Sequence, residues 1–345
     1  MIQDGAWGAV EVAGARVAPG QRVRAAIAIA ELATQQSVGL PLLIQRGRAP
    51  GRTLLVTAAI HGDELVGIEI CARLLARAEL SRMAGMLILA PVANVFGFLN
   101  RDRYLPDRRD LNRSFPGSAK GSLAGRIASA LMKEVVCEAD ALVDLHSAAI
   151  HRTNAPQVRA DLDHPGCAVL AEAFAAPLLV HAETRPGSLR ACATARGVPA
   201  IVYEAGEALR IEEPDVRAGL DGVLRVMAHL GMIDAAPPPD GPVATLHDST
   251  WLRAPGAGIV RRPVACGARV RAGEPLCVVA GPLGEDPAIL EAPRDGFVIG
   301  RATTPVVNQG DALFHLAWAE RDGPIPDEDG DDASAEPLLW SGGRA

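Results

Sequence analysis

The chain has 345 residues, 49% hydrophobic and 22% charged, with a net charge of −7 and a slightly positive mean hydropathy. That size supports about two globular domains with an ample core. The acidic balance, with no recurring basic face, gives no reason to expect a nucleic-acid partner. No stretch has the roughly 18 uninterrupted apolar residues of a membrane span. The start, MIQDGAWGAV, lacks the basic end and apolar core of a secretory signal. The six cysteines (Cys71, Cys137, Cys167, Cys192, Cys266, Cys277) are scattered without a C-x-x-C pair, so buried free thiols and a reducing cytoplasm are expected.

Residues 1–50 read as a β-rich lead-in, with a strand at 38–45 (VGLPLLIQ) and a turn at Ala49-Pro50-Gly51. A strand follows at 53–59, and its apolar run stops abruptly at His61-Gly62-Asp63-Glu64. Beyond it Leu65, Ile68, Ile70, Cys71, Leu74 and Leu75 give a helix with one apolar face. Ligands in open α/β sheets gather at the carboxyl ends of strands. There His61 and Glu64, three apart across the turn, can converge on one point. They are two of the three protein ligands of a catalytic zinc site, whose fourth position belongs to water. H-x-x-E alone is a weak signal. A third ligand, a base and a substrate clamp must come from elsewhere in the chain.

Residues 86–92 (MLILAPV) are a second buried strand running into a turn at 93–97. The segment 100–117, NRDRYLPDRRDLNRSFPG, holds Arg101, Arg103, Arg108, Arg109 and Arg113 with two prolines, which predicts a structured loop. Either it is a solvated charged loop, or its guanidinium groups clamp an acidic substrate, since they bind carboxylates bidentately. A helix at 121–136 leads to a short strand at 141–145 ending in His146, which can face the same crevice as His61. Asp144, two residues earlier, points to the same side. Surface or structural roles are the default for His151, His164, His181, His229, His247 and His315.

A strand at 199–203 (PAIVY) ends in Glu204-Ala205-Gly206-Glu207, placing a carboxylate at another strand terminus. A long helix over 211–230 completes an α/β domain with a mainly parallel sheet, taken as residues 1–234. Residues 235–244, rich in proline, form a linker. In 245–318 a quasi-repeat appears: APGAGIV (254–260) is echoed by APRDGFV (292–298), and RAGEPL (271–276) by NQGDAL (308–313). Two similar β halves are implied. This repeat resembles the biotinyl/lipoyl type of barrel-sandwich domain. The only lysines of the chain are Lys120 and Lys133, so a swinging-arm carrier is excluded. The tail, 319–345, rich in Asp, Gly and Pro, is expected to be disordered.

HGDE at 61–64, DLNRSFPG at 110–117, DLHS at 144–147 and YEAG at 203–206 occur in that order. Together they resemble the succinylglutamate desuccinylase/aspartoacylase family of zinc carboxypeptidase-like enzymes, over roughly residues 20–318. The resemblance implies one Zn2+ held by His61, Glu64 and His146. It implies Glu204 as general base and later as proton donor to the leaving amine. Asn112 and Arg113 would bind a substrate carboxylate, and Arg103 would polarise the scissile carbonyl, although the stretch between Arg103 and DLNR is longer here than in the family.

The chemistry is coherent without the family. Amide hydrolysis at neutral pH needs an activated water, a cation at the oxyanion and a non-ligating carboxylate to protonate the amine. Glu204 suits the last role better than Glu207, because only Glu204 directly ends the predicted strand. The expected function is deacylation of a small anionic N-acyl amino acid by a cytoplasmic enzyme. Carboxypeptidase-like trimming of an acidic peptide is the alternative, and oligomeric state stays open. The rival from another class, a binding scaffold that kept the fold, should have lost a ligand or the base, and none is missing.

Overall fold

The computed structural model describes residues 7–320, which divide into two units, one ending at His247 and one beginning at Asp248. The first opens with a hairpin of β1 (Val10–Val12) and β2 (Ala15–Val17). There follow β3 (Arg22–Glu31), β4 (Ser37–Arg46), β5 (Ala49–Ala58), α1 (Val66–Leu75), β6 (Ala84–Ala90), α2 (Val95–Asn100) and α3 (Leu123–Glu134). Next come β7 (Ala141–Ala148), β8 (Arg152–Ala160), α4 (Pro165–Phe174), β9 (Leu178–His181), α5 (Leu189–Thr194), β10 (Ala200–Glu207), α6 (Glu213–His229) and β11 (Ala244–Leu246).

Nine strands form one sheet in the order β11-β9-β8-β10-β7-β5-β6-β4-β3. The central run β10-β7-β5-β6 is parallel, as are β11-β9-β8, whereas β8–β10, β6–β4 and β4–β3 are antiparallel. This is the expected α/β class, with a large mostly parallel sheet flanked by helices. The middle strands are nearly unbroken apolar runs because helices cover both faces. On one face Ile70 and Leu74 of α1, Leu170 and Phe174 of α4, and Val223 and Met227 of α6 bury Val56, Leu145 and Tyr203. On the other, Ile127 and Leu131 of α3 and Leu189 and Ala193 of α5 bury Leu55, Leu142 and Ala200. Helix α6 approaches closely because Gly222 faces Phe174; a Cβ there would lie 2.1 Å from the ring.

Several expected boundaries move. The turn expected at 49–51 is the start of β5, which joins β6 through a register shift between Ala49 and Thr53. The turn expected at 93–97 is the entry to α2, where Asn94 Oδ1 accepts from Gly97 N at 2.8 Å. The strands expected to stop at 145 and 203 run on to Ala148 and Glu207. His146 and Glu204 therefore lie inside strands rather than at their ends. The reason is mutual pairing: Glu204 sits opposite His146 on β7 and opposite Gln157 on β8. Strand β8 has no sequence signal of its own, being polar with Pro156 in mid-run, a pattern that argues against a central strand.

Segment β11 pairs with β9, so the first unit ends at His247 and the second begins at Asp248, three residues after the expected start of the β domain at 245. The second unit carries two antiparallel arrays. One pairs Asp248–Arg253, Ala312–Trp318, Gly296–Ala302 and Arg269–Val270 in that order. The other pairs Ala288–Glu291, Pro275–Ala280, Gly258–Arg261 and Val306–Val307. The quasi-repeat is structural as well as sequential. Gly273 and Gly310 occupy the same left-handed turn position at φ 78° and 89°. Gly273 N donates to Ala292 O and Gly310 N to Ala254 O, so each half's turn pairs with the other half's Ala-Pro segment. The tail expectation falls largely on residues 321–345, outside those described.

All six cysteines are unpaired. Cys71, Cys167 and Cys277 are buried as expected, and Cys137 is exposed. No described helix is long and apolar enough to cross a membrane.

Candidate active site

Strand β5 delivers the chain to the site through a sharp bend. Ala59 takes a left-handed φ of 47°, a conformation that costs a non-glycine residue energy and recurs at functional sites. His61 and Glu64 then close a turn in which Glu64 N donates to His61 O at 3.2 Å. Gly62 is required by contact: a Cβ there would lie 2.0 Å from the backbone of Gly97 in α2. Buried Asn94 fastens the pieces together. Its N–H donates to Ala59 O at 2.8 Å, and its Nδ2 to Arg103 O at 3.2 Å.

His61, Glu64 and His146 meet, all nearly inaccessible to solvent at 4%, 2% and 2% exposure. Glu64 Oε1 lies 2.6 Å from His61 Nδ1, and Oε2 lies 2.8 Å from His146 Nδ1. Ser147 N also donates to Oε2, at 3.1 Å. Each imidazole turns its other nitrogen to a carboxylate. His61 Nε2 is 3.3 Å from Asp110 Oδ1 and His146 Nε2 is 2.7 Å from Asp144 Oδ2. Asp144 Oδ1 accepts from Thr57 Oγ1 at 2.6 Å. Arg103 closes the group, with Nη2 3.0 Å from Asp110 Oδ2 and Nη1 3.5 Å from Glu64 Oε1.

Burial opposes ionisation of Glu64, yet the two imidazoles hold its carboxyl well below the usual carboxylate range. Asp110 is likewise held down against burial, by His61 and Arg103. Burial works against protonating His146, but Asp144 and Glu64 raise its pKa well above the ordinary value. The neighbouring Asp63 is pushed up to about 6 by burial and by Glu64.

These residues fit a metal ion. Two Nδ1 atoms and one carboxylate lie within 4.8 Å of one another, and carboxylates behind the imidazoles fix which nitrogen faces the centre. With both imidazoles neutral, as metal ligation requires, the carboxylates of Glu64, Asp110 and Asp144 face the single guanidinium of Arg103, and a divalent cation would complete the charge balance. Imidazole and carboxylate donors in this number match zinc. A second group, Asp161, Asp163 and His181, is also close together. There His181 Nδ1 accepts from Leu162 N at 3.2 Å, and Asp163 is 62% exposed, so the imidazole lone pair is already committed.

Glu204 stands on the same face as His146, directly opposite it in register, and its Oε2 accepts from Asn154 Nδ2 at 2.9 Å. Glu207, which does end β10, accepts from His151 N at 3.0 Å instead. Register, not strand termination, distinguishes the two carboxylates. Asn112 and Arg113 sit in a short turn capped by Asp110, whose Oδ1 accepts from Asn112 N at 2.7 Å. Asn112 Oδ1 accepts from Leu189 N at 2.9 Å, which leaves its amide N–H groups as the donors, and Arg113 is exposed. A cavity of about 930 Å³ lined by Asp140, Ala141, Arg196 and Pro199 opens at the other end of the sheet, where β7 and β10 begin, and holds none of these residues.

Asp110 and Asn154 carried no assigned role in the sequence. Asp110 stands in the DLNR motif, two residues before Asn112, and that proximity was the available signal. Asn154 had none, because its strand was not predicted.

The family model for the succinylglutamate desuccinylase/aspartoacylase catalytic domain matches residues 50–230. N-alpha-acetyl-L-2,4-diaminobutyric acid deacetylase of Halomonas elongata is 30% identical over 302 residues, covering 80% of this chain and 84% of that protein. The product-bound ectoine utilization protein EutE (DoeB) of Ruegeria pomeroyi superposes with a TM-score of 0.77 at 26% identity, covering 86% of this chain and 95% of its own. A succinylglutamate desuccinylase/aspartoacylase of Rhodobacter sphaeroides gives a TM-score of 0.75 at 28% identity, covering 87% and 96%. The matched span runs from β5 to the end of α6 and so contains His61, Glu64, Arg103, Asp110, His146 and Glu204: this chain belongs to the succinylglutamate desuccinylase/aspartoacylase family.

Proposed function

We propose that the protein is a zinc-dependent deacylase that hydrolyses the amide bond of a small N-acyl amino acid. The observation that carries this is the buried convergence of His61 Nδ1, His146 Nδ1 and the Glu64 carboxylate beside Arg103. The deacetylase named for the Halomonas relative supports the reaction type. We also read the two arrays of the second unit as the halves of a barrel-sandwich domain, on the strength of their reciprocal turns.

His61, Glu64 and His146 would hold the zinc ion, which would supply there a Lewis acid for the carbonyl and lower the pKa of the attacking water. Glu204, oriented by Asn154, takes the proton of the attacking water and later hands it to the departing nitrogen, without which the amine is a poor leaving group. Arg103 directs its guanidinium at the developing oxyanion, held in place by Asp110. The amide N–H groups of Asn112 and the guanidinium of Arg113 take up a substrate carboxylate. Asp144 and Asp110 keep the Nδ1 lone pairs of the two imidazoles aimed inward.

The test uses zinc-loaded wild type and Glu204→Gln with a mixed panel of N-acyl amino acids and short acidic peptides, with products read by mass spectrometry. Loss of acyl groups by the wild type alone is the expected result. Release of free glutamate or aspartate from the peptides would make the enzyme a carboxypeptidase instead. Turnover by Glu204→Gln at the wild-type rate would remove Glu204 from the mechanism.

A further inference from the structure

Strand β8 carries a cation that nothing above uses. Val158 and Ala160 point into the core beneath α1, α4 and α6, so by strand alternation Gln157 and Arg159 point to the opposite face. His146 and Glu204 project from that same face, since Leu142 and Ala200, at even spacing from them, pack against α3 and α5. Gln157 is the cross-strand partner of Glu204, and Arg159 is the partner of Val202. Arg159 leans toward the catalytic end, because its Nε donates to Gln157 Oε1 at 3.3 Å.

Arg159 is half-buried and pairs with no carboxylate among the described residues. Its neighbour is another cation. Arg190 on α5, only 8% exposed, spends its Nη groups on the carbonyls of Ala182 and Glu183 at 2.8 Å each. Burial lowers the pKa of Arg190, the charge of Arg159 lowers it further, and Cys167 and then Asp161 offset this more weakly. Two guanidinium groups that repel each other in a sheltered place cost stability unless an anion joins them. The helix that carries Arg190 is also tied to the proposed carboxylate clamp: Phe115 N donates to Gly187 O at 2.9 Å and Leu189 N to Asn112 Oδ1 at 2.9 Å, which fastens the Arg113 turn against the start of α5.

We propose that Arg159, oriented by Gln157 and backed by the charge of Arg190, binds a carboxylate of the substrate. The assignment rests on the deacylase reading for the identity of that substrate. The carboxylate is either the α-carboxylate of the amino acid or a second one on its side chain or acyl chain.

Wild type, Arg159→Gln and Arg159→Lys are compared, zinc-loaded, on N-acetylalanine amide, N-acetylalanine, N-acetylglutamate and N-succinylalanine. The expected result is a rise in KM of about tenfold or more for carboxylate-bearing substrates of Arg159→Gln, with kcat within about threefold and the amide unaffected. Arg159→Lys, which keeps the charge but not the fork, falls between. A rise for all three acids assigns the α-carboxylate. A rise confined to N-acetylglutamate or N-succinylalanine assigns the side-chain or acyl carboxylate. Equal changes for amide and acids, or none, overturn the proposal.

Calorimetry separates the two readings. N-acetylglutamate and N-succinylalanine are titrated into Glu204→Gln protein with Arg159 intact and with Arg159→Gln. If the wild type hydrolyses nothing, yet binding is present and disappears with Arg159→Gln, the deacylase reading fails and the anion contact stands. If neither compound binds while Arg159 is in place, the anion contact fails whatever the turnover.

Discussion

Asp110→Asn tests the central electrostatic claim. Asp110 serves three partners at once: Oδ1 takes Asn112 N at 2.7 Å and faces His61 Nε2 at 3.3 Å, while Oδ2 takes Arg103 Nη2 at 3.0 Å. The amide keeps an acceptor for Asn112 N, so the turn is preserved, but it removes the negative charge. Arg103 then leans on its other carboxylate, Glu64, already 3.5 Å away, and competes with a metal for that ligand. His61 also loses the carboxylate that faces its Nε2 at 3.3 Å. A lost hydrogen bond between charged groups is worth about 1.5–3 kcal/mol. Loss of a partner behind a metal-binding histidine weakens affinity by about 10–100-fold, which is about 1.4–2.7 kcal/mol, so the two routes agree. We expect the zinc Kd of Asp110→Asn to rise by that factor in competition with a chromophoric chelator. A Kd within about threefold of wild type, in a variant with unchanged circular dichroism, would refute the linkage of Arg103, Asp110 and His61.

Glu204→Gln should bind zinc stoichiometrically and melt like wild type while losing about 10²–10⁴-fold in kcat, measured with any substrate the panel identifies; parallel loss of zinc would instead make Glu204 a ligand. Gly222→Ala forces a methyl onto the fully buried Phe174 ring, 2.1 Å from the added carbon; overpacking of this kind costs about 1–3 kcal/mol, and a thermal melt should fall by several degrees. Asp215 is pushed up to about 6, by burial first and then by Glu212. A carboxyl raised in the folded state favours folding below its unfolded pKa, near 4, and loses that contribution as pH climbs through about 6. The melting temperature of Asp215→Asn should therefore gain on wild type between pH 4 and pH 7, and a constant difference across that range would show that the carboxyl is not perturbed.

Much of the molecule was legible in its sequence for identifiable reasons. The strands at 53–59 and 86–92 were visible because both faces are buried, which demands uninterrupted apolar residues. His61 and Glu64 were visible because their partnership is local, three residues across one turn. The quasi-repeat of the second unit was visible because each turn needs a glycine at the same left-handed position, Gly273 or Gly310. Strand β8 was not. Its pairing is supplied by β10 and β9, and a polar segment containing Pro156 reveals nothing of neighbours that lie elsewhere in the chain.

The sequence by itself determined the α/β class, the order of the motifs and the chemical identity of the groups, because these depend on residue type and short-range periodicity. Only the tertiary structure decided how those groups work together. Parallel register set Glu204 beside His146 inside the sheet, and the folded loop brought Asp110 between His61 and Arg103. Unpredicted β8 gave Glu204 its Asn154 and placed Arg159 beside Arg190. Such contacts join residues tens of positions apart, and no local pattern encodes a distance that exists only once the sheet has closed.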